Sequence, residues 1–81
     1  MIVRLKLFAL AKEFAGTSLL EIDLPEQSTV GDLRKRLAEE VPALAPIAGH
    51  LMFAVDQRYA TDEEPIAAGA DLACIPPVSG G

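Results

Sequence analysis

The chain has 81 residues, a length that fits one small domain rather than two. Hydrophobic residues make up 51% of it and charged residues 23%, so it has enough apolar material for a folded core and is not a disordered segment. The formal net charge of −5 disfavours binding to nucleic acid, because phosphate backbones repel an acidic surface, and favours attraction to a basic protein surface.

The N-terminal part of the chain predicts two antiparallel strands joined by a short helical turn. Apolar and polar residues alternate along 2–8 and again along 18–24, as they do in strands buried on one face. Residues 9–14 have a helical composition, and Gly16 stops that turn. Phe8 falls at the end of the first strand, on the face that carries the charges. The side chains predicted to face inward are Val3, Leu5, Leu7, Leu20, Ile22 and Leu24.

The main helix is predicted to begin after residue 29. Thr29 is a suitable N-cap, and Asp32 takes the capping-box position, with aspartate in place of the usual glutamate. Pro42 ends the helix. An apolar stripe with helical spacing consists of Val30, Leu33, Leu37 and Val41. This stripe predicts that the helix covers one face of a sheet.

The second half of the chain predicts two more strands. Residues 42–49 are interpreted as a loop or a short extra helical turn. Residues 51–55 are almost all apolar, which predicts a central strand covered on both faces. A turn follows at 56–59, and another turn at 69–71 precedes a final strand over 72–75.

The order strand, strand, helix, strand, strand is typical of an α+β protein. It looks like the β-grasp, or ubiquitin-like, fold, with a mixed sheet of about four to five strands, one main helix and short helical turns. Residues 1–77 are predicted to form a single β-grasp domain, and residues 78–81 a flexible Gly-Gly tail.

The tail predicts chemistry at the C-terminal carboxylate. Two final glycines arise by chance in roughly one chain in 200, so a frayed terminus is the alternative. Gly80 and Gly81 lack β-carbons and fit a narrow channel, while Pro76 and Pro77 stiffen the exit from the last strand. Adenylation would make the Gly81 carboxylate an acyl donor that a sulfur nucleophile can attack. The sequence has no glycine-rich phosphate loop followed by lysine, so the activating enzyme must be another protein.

Several segments together carry a resemblance to a known family. The opening strand runs into 7–9, the helix spans 30–37, and the turn at 69–71 precedes the last strand. The most specific segment is the ending, which reads Ile75, Pro76, Pro77, Val78, Ser79, Gly80 and Gly81. Over essentially its full length the chain resembles the small, sulfur-carrier subunits of molybdopterin synthase, in the group of MoaD- and ThiS-like proteins.

The resemblance implies a non-catalytic carrier subunit that acts as the covalent sulfur donor of a heteromeric sulfurtransferase. Gly81 would be adenylated and then converted to a thiocarboxylate, and Gly80 would let the tail thread into the partner's active site. The chain itself would bind no cofactor and no metal, and ATP would be used by an adenylyltransferase related to ubiquitin-activating enzymes. The second partner would be the large subunit of molybdopterin synthase, in a heterotetramer. There the sulfur would pass to a cyclic pyranopterin precursor and form the molybdopterin dithiolene.

A docking surface is predicted around the exit of the tail. If the first and last strands are neighbours, apolar side chains near the tail form a patch of the kind that marks partner sites, with ordinary core packing as the alternative. The resemblance implies that this patch docks the large subunit. The residues predicted to bind partners are Phe8, Tyr59, Ile75, Pro76, Pro77, Val78 and Ser79.

Three other features are interpreted as structural. Cys74, the one cysteine, is expected to be a small buried hydrophobe, and the fold cannot depend on internal disulfides. His50 is the one histidine and is expected at the surface, because no further ligands are spaced for a metal site. The acidic residues 62–64 are expected to form a solvated turn rather than a cation site.

Other functions stay open at this point. They are a ubiquitin-like modifier conjugated through Gly81, a sulfur carrier of the thiazole pathway, and a plain β-grasp binding module whose tail is incidental. Arg4 and Lys6 interrupt the apolar N-terminus, so no signal peptide is expected. No apolar stretch approaches the roughly 18 residues of a membrane span, and a cytoplasmic protein is expected.

Overall fold

The structure of the protein, a computed structural model, describes residues 1–76. The predicted tail, 78–81, lies outside the described residues, as does Pro77, the last residue of the predicted domain. Within 1–76 the elements are β1 (Ile2–Leu7), α1 (Ala9–Ala15), β2 (Leu19–Asp23), α2 (Val30–Glu40), a 3-10 helix (Pro42–His50), β3 (Met52–Val55), β4 (Arg58–Ala60) and β5 (Leu72–Ile75).

The strands form one mixed sheet in the order β2-β1-β5-β3-β4. The strands β1 and β5 run parallel, and the other neighbouring pairs are antiparallel. The predicted α+β class and β-grasp arrangement are confirmed. The first and last strands are neighbours, which meets the condition set for the predicted docking patch. This parallel pairing places Leu5 beside Leu72 and Leu7 beside Cys74, all of them buried.

The alternation predicted for β1 is confirmed, since Val3, Leu5 and Leu7 are buried and the residues between them are exposed. The chain then turns into α1 through Ala9, whose φ of 52° is unusual for a residue with a β-carbon. This short helix ends at Gly16, which has the left-handed conformation predicted for a terminating glycine.

The start of α2 is fixed by the predicted capping box. The Asp32 backbone N–H donates to Thr29 Oγ1 over 3.2 Å, and the Thr29 N–H donates to Asp32 Oδ2 over 2.9 Å. The backbone hydrogen bond from Thr29 holds the pKa of Asp32 below its usual value. Val30, Leu33 and Leu37 are buried against the sheet, as the stripe predicts.

Three expectations about the second half are corrected in part. The predicted turn at 56–59 is shorter than expected, because it contains only Asp56 and Gln57 and residues 58–60 form the edge strand β4. Of the two alternatives for the segment after α2, the helical one is confirmed, but the helix is a nine-residue 3-10 helix and so is longer than a short turn. The third strand is only partly covered on its second face, since Ala54 is buried there but Met52 is 43% exposed.

Arg34 ties the helical layer to the sheet beneath it. Its Nη1 donates to the backbone oxygens of Ala48 and Leu51 over 2.7 and 2.6 Å. Its guanidinium lies 5.0 Å from the centre of the Phe53 ring, within the range of a cation–π contact. Phe53, the largest buried side chain of β3, therefore packs in the core and contacts the hydrogen-bonded guanidinium of Arg34 on its helical side.

Phe53 and Met52, which are adjacent in β3, provide a test of which face of the strand points into the core. Replacing the buried Phe53 by alanine is expected to lower the free energy of unfolding by about 3–5 kcal/mol, because it removes a core ring and leaves a cavity. Met52→Ala, on the open face, is expected to cost less than about 1 kcal/mol. Urea denaturation of both variants checks this, and equal losses would contradict the assignment of the two faces.

Candidate functional site

The face of the sheet opposite the helices carries a row of side chains from four strands. The pairing aligns Lys6 of β1 with Ala73 of β5, Ala73 with Ala54 of β3, and Ala54 with Tyr59 of β4. Met52 is aligned with Ile75 on the same face. Because side chains alternate along each strand, burial of the odd positions of β1 on the helical side leaves these residues on the open side.

Part of this row lines a shallow groove of about 350 Å³. The two alanines leave room at the middle of the groove, and larger side chains stand at its borders. We call this cavity the outer groove; it is lined by Lys6, Phe8, Ala54, Gln57, Tyr59, Asp71, Ala73 and Ile75.

The outer groove brings together the three apolar residues that sequence reasoning selected. Phe8 is 47% exposed and Tyr59 62% exposed, so neither is a core residue, and Ile75 is half-buried. The Phe8 N–H donates to the Cys74 carbonyl oxygen over 3.2 Å, which attaches Phe8 to the end of β5. Large exposed apolar side chains around a concave surface are typical of a protein-binding site.

The chain passes from β5 directly toward its terminal segment at this groove. Ile75 is the last residue of β5, and the following Pro76 is buried. The remaining predicted site residues, Pro77, Val78, Ser79, Gly80 and Gly81, lie outside the described residues.

The charges at the outer groove are paired. Lys6 Nζ lies 3.5 Å from Asp71 Oδ1 across the β1–β5 pair. Asp71 is also held by the β3–β4 turn, because its N–H donates to Asp56 Oδ1 over 3.0 Å and its carbonyl oxygen accepts from the Asp56 N–H over 2.8 Å. The groove thus carries a neutral ion pair, although the whole chain has a net charge of −5.

Sequence reasoning missed the polar members of this groove. The alternation along β1 placed Lys6 on the outward face, and that signal could have identified it. Asp71 and Gln57 come from turns that only the tertiary structure brings to the groove, so no local pattern indicated them.

Comparison with known proteins gives the family. Residues 5–81 match the ThiS family. The chain belongs to the ThiS family. It is 36% identical to the molybdopterin synthase sulfur carrier subunit of Caenorhabditis elegans, over 98% of this chain and 96% of that protein. It is 35% identical to the protein of the same name from Escherichia coli (strain K12), over 98% and 99%. The crystal structure of SAMP1 from Haloferax volcanii has a TM-score of 0.86 and 34% identity, covering all of both chains.

The cysteine of this ThiS-family chain lies on the other side of the sheet from the outer groove. Cys74 is fully buried between Leu7 and Phe53, as predicted. Burial raises the pKa of its thiol to about 11. A buried, protonated thiol is a poor nucleophile, so Cys74 has the properties of a core residue.

We expect Cys74 to resist alkylation while the protein is folded. At pH 8 a thiol with a pKa near 11 is ionised in about one molecule in a thousand, and Cys74 is fully buried where it pairs with Phe53 of the neighbouring strand. Iodoacetamide labelling followed by intact mass is expected to show no adduct in the native protein and one adduct in urea. Rapid labelling of the native protein would contradict the burial of this thiol.

His50 and the acidic residues 62–64 of this ThiS-family chain also have structural explanations. His50 is exposed at the end of the 3-10 helix. Asp62 pairs with Arg34 over 2.8 Å, and Glu64 pairs with Arg58, whose hydrogen bond lowers the pKa of the Glu64 carboxyl. Within residues 1–76, acidic, histidine and cysteine side chains do not gather in threes that could bind a metal ion. Among the helices of the same range, none has the length and hydropathy of a transmembrane segment.

Proposed function

We propose that this chain is the sulfur-carrier subunit of a molybdopterin synthase. The observation that carries the proposal is the match along nearly the whole chain to proteins with that name from a nematode and a bacterium. The ending of the sequence, with two prolines before Val78 and a terminal Gly-Gly pair, agrees with this function. The outer groove beside the end of β5 supplies a surface on which a partner could hold the carrier.

The chemistry takes place at the C-terminal carboxylate of Gly81. One carboxylate oxygen attacks the α-phosphorus of ATP, and pyrophosphate leaves to give a glycyl adenylate. A sulfide equivalent then attacks the acyl carbon and AMP leaves, so that the C–O bond is replaced by a C–S bond and a thiocarboxylate remains. The activating adenylyltransferase supplies the ATP site, and this chain supplies the acyl group.

The outer groove is the proposed docking site for the large subunit of the synthase. Phe8, Tyr59 and Ile75 offer apolar contact area, and the Lys6–Asp71 pair makes the groove neutral. The fitting partner surface is therefore apolar at its centre, which refines the expectation of a basic partner surface drawn from the net charge. The large subunit then receives the thiocarboxylate and transfers its sulfur to the cyclic pyranopterin precursor, in the cytoplasm.

A second function is favoured by a specific observation. SAMP1, whose structure aligns over this entire chain, is a small archaeal modifier protein. A modifier would use the same adenylate but transfer the Gly81 acyl group to an amine of another protein. A sulfur carrier for thiazole synthesis would use the same thiocarboxylate with a different acceptor.

A transfer assay separates these functions. The chain is loaded with ATP, its cognate activating enzyme and a sulfide donor, and is then given the cyclic pyranopterin precursor with the large subunit. The proposal predicts molybdopterin, detected after oxidation as its fluorescent derivative, and recovery of the carrier with an ordinary carboxylate. Protein conjugates in a lysate, with no molybdopterin from the defined mixture, would overturn it in favour of the modifier.

A further inference from the structure

The turn between β3 and β4 contains a residue in an unfavourable backbone conformation. Asp56 and Gln57 are its two central residues, with φ values of 51° and 69°. Two-residue hairpin turns of this kind favour glycine at the second position, because a β-carbon is strained at positive φ. Gln57 therefore occupies a position at which glycine would suit the fold better.

The fold explains Asp56 but not Gln57. Asp56 Oδ1 accepts the Asp71 N–H and so ties the turn to the start of β5. Gln57 is exposed, and the side-chain hydrogen bonds formed within residues 1–76 do not include its amide. The side chain does, however, line the outer groove, together with Tyr59 and Asp71.

We propose that Gln57 is a binding residue of the docking site, which hydrogen-bonds through its amide to backbone groups of the large subunit. This inference rests on the proposed function. The side chain of Gln57 lines the groove and forms no hydrogen bond among residues 1–76, so its amide is available to a partner that binds there. An uncharged amide also suits a neutral groove, because it can both donate to a backbone carbonyl and accept from a backbone N–H.

The chain contains a matched control for this inference. Gln27 has nearly the same backbone strain, with φ 66°, but it lies in the loop before α2 and lines a different cavity, together with Pro25 and Lys35. Replacing either glutamine by glycine relieves the same strain. Only Gln57 is expected to matter for the partner.

The test compares Gln57→Gly, Gln57→Asn and Gln27→Gly with the unchanged chain, using titration calorimetry against the cognate large subunit. Both glycine variants are expected to raise the thermal unfolding midpoint by a few degrees, because glycine accepts positive φ without strain. Gln57→Gly is expected to raise the Kd about 3–10-fold, the loss of one to two interface hydrogen bonds. Gln57→Asn keeps the turn but withdraws the amide by one methylene, and the same loss is expected. Gln27→Gly is expected to bind like the unchanged chain.

The outcomes separate this inference from the proposed function. If the unchanged chain binds and both Gln57 variants bind equally well, the role of Gln57 is overturned and the carrier function stands. A weakening by Gln27→Gly as large as that by Gln57→Gly would also overturn it, since the effect would follow the turn chemistry and not the groove. If the unchanged chain itself does not bind a large subunit known to be active, the proposed function fails and this inference fails with it.

Discussion

Deleting Gly81 is expected to abolish sulfur loading without affecting the fold. The deletion withdraws the reacting carboxylate by about 3.5 Å, the length of one extended residue. A displacement of about 1 Å at a reacting atom already costs on the order of 100-fold in rate, so activity at background level is expected. Thiocarboxylate formation, followed by intact mass under conditions that load the unchanged chain, is the measurement.

Two control variants establish whether loading depends on the position of the terminal carboxylate. A variant with one extra glycine after Gly81 keeps every native residue but moves the carboxylate outward by the same distance, and it is also expected to fail. Glu13→Ala changes an exposed residue of α1 and leaves the tail intact, so it is expected to load. Loading of the deletion variant at the normal rate would contradict the assignment of Gly81 as the acyl donor.

Phe8→Ser is expected to weaken binding of the large subunit about 30-fold to 1,000-fold. Aromatic side chains at the centre of an interface commonly contribute 2–4 kcal/mol on truncation, and Phe8 borders the outer groove where β5 ends. The folded domain is expected to tolerate the change, because Phe8 is half exposed and occupies the N-cap of α1 without a side-chain cap bond. Serine can supply that bond.

Phe14→Ser is the matched control for Phe8→Ser. Phe14 is 43% exposed against 47% for Phe8, and it lies near the other end of α1, away from the residues that line the outer groove. Calorimetric titration of both variants against the large subunit is expected to show a loss for Phe8→Ser alone. An equal rise in Kd for the two variants would show that exposed apolar area in general, and not the outer groove, governs binding. An unchanged Kd for Phe8→Ser would contradict the role of Phe8.

The features that sequence reasoning predicted well depend on neighbours close along the chain. The capping box of Thr29 and Asp32 uses residues three positions apart, and the structure forms both of its hydrogen bonds. The alternation of β1 and the terminating role of Gly16 are likewise local. For these elements the local preferences and the tertiary packing agree, so the pattern alone was sufficient.

The features that sequence reasoning missed depend on the tertiary structure or on weak turn signals. The strand β4 has only three residues, and the turn before it reads Asp56-Gln57 where a glycine would have marked a hairpin. The apolar sequence of β3 predicted cover on both faces, but Met52 contributes to the open side of the sheet. An apolar strand has the same composition whether its second face is covered by the chain itself or by a partner.

The candidate site shows the same division. Its apolar members could be selected from the sequence, because Phe8 is out of phase with the core, Ile75 adjoins the tail and Tyr59 follows a turn. The Lys6–Asp71 pair could not be, since parallel pairing of β1 with β5 joins residues from opposite ends of the chain. Net charge alone therefore gave an incomplete description of the surface that meets the partner.

The most direct test of the carrier function is the intact mass of the chain after loading. The chain is incubated with ATP, the cognate activating enzyme and a sulfide donor, and its C-terminal peptide is sequenced by mass spectrometry. The carrier function predicts a gain of about 16 Da, the replacement of one oxygen by sulfur, located at Gly81. An unchanged mass, with an activating enzyme shown to be active on another carrier, would contradict it, as would a sulfur adduct located at Cys74.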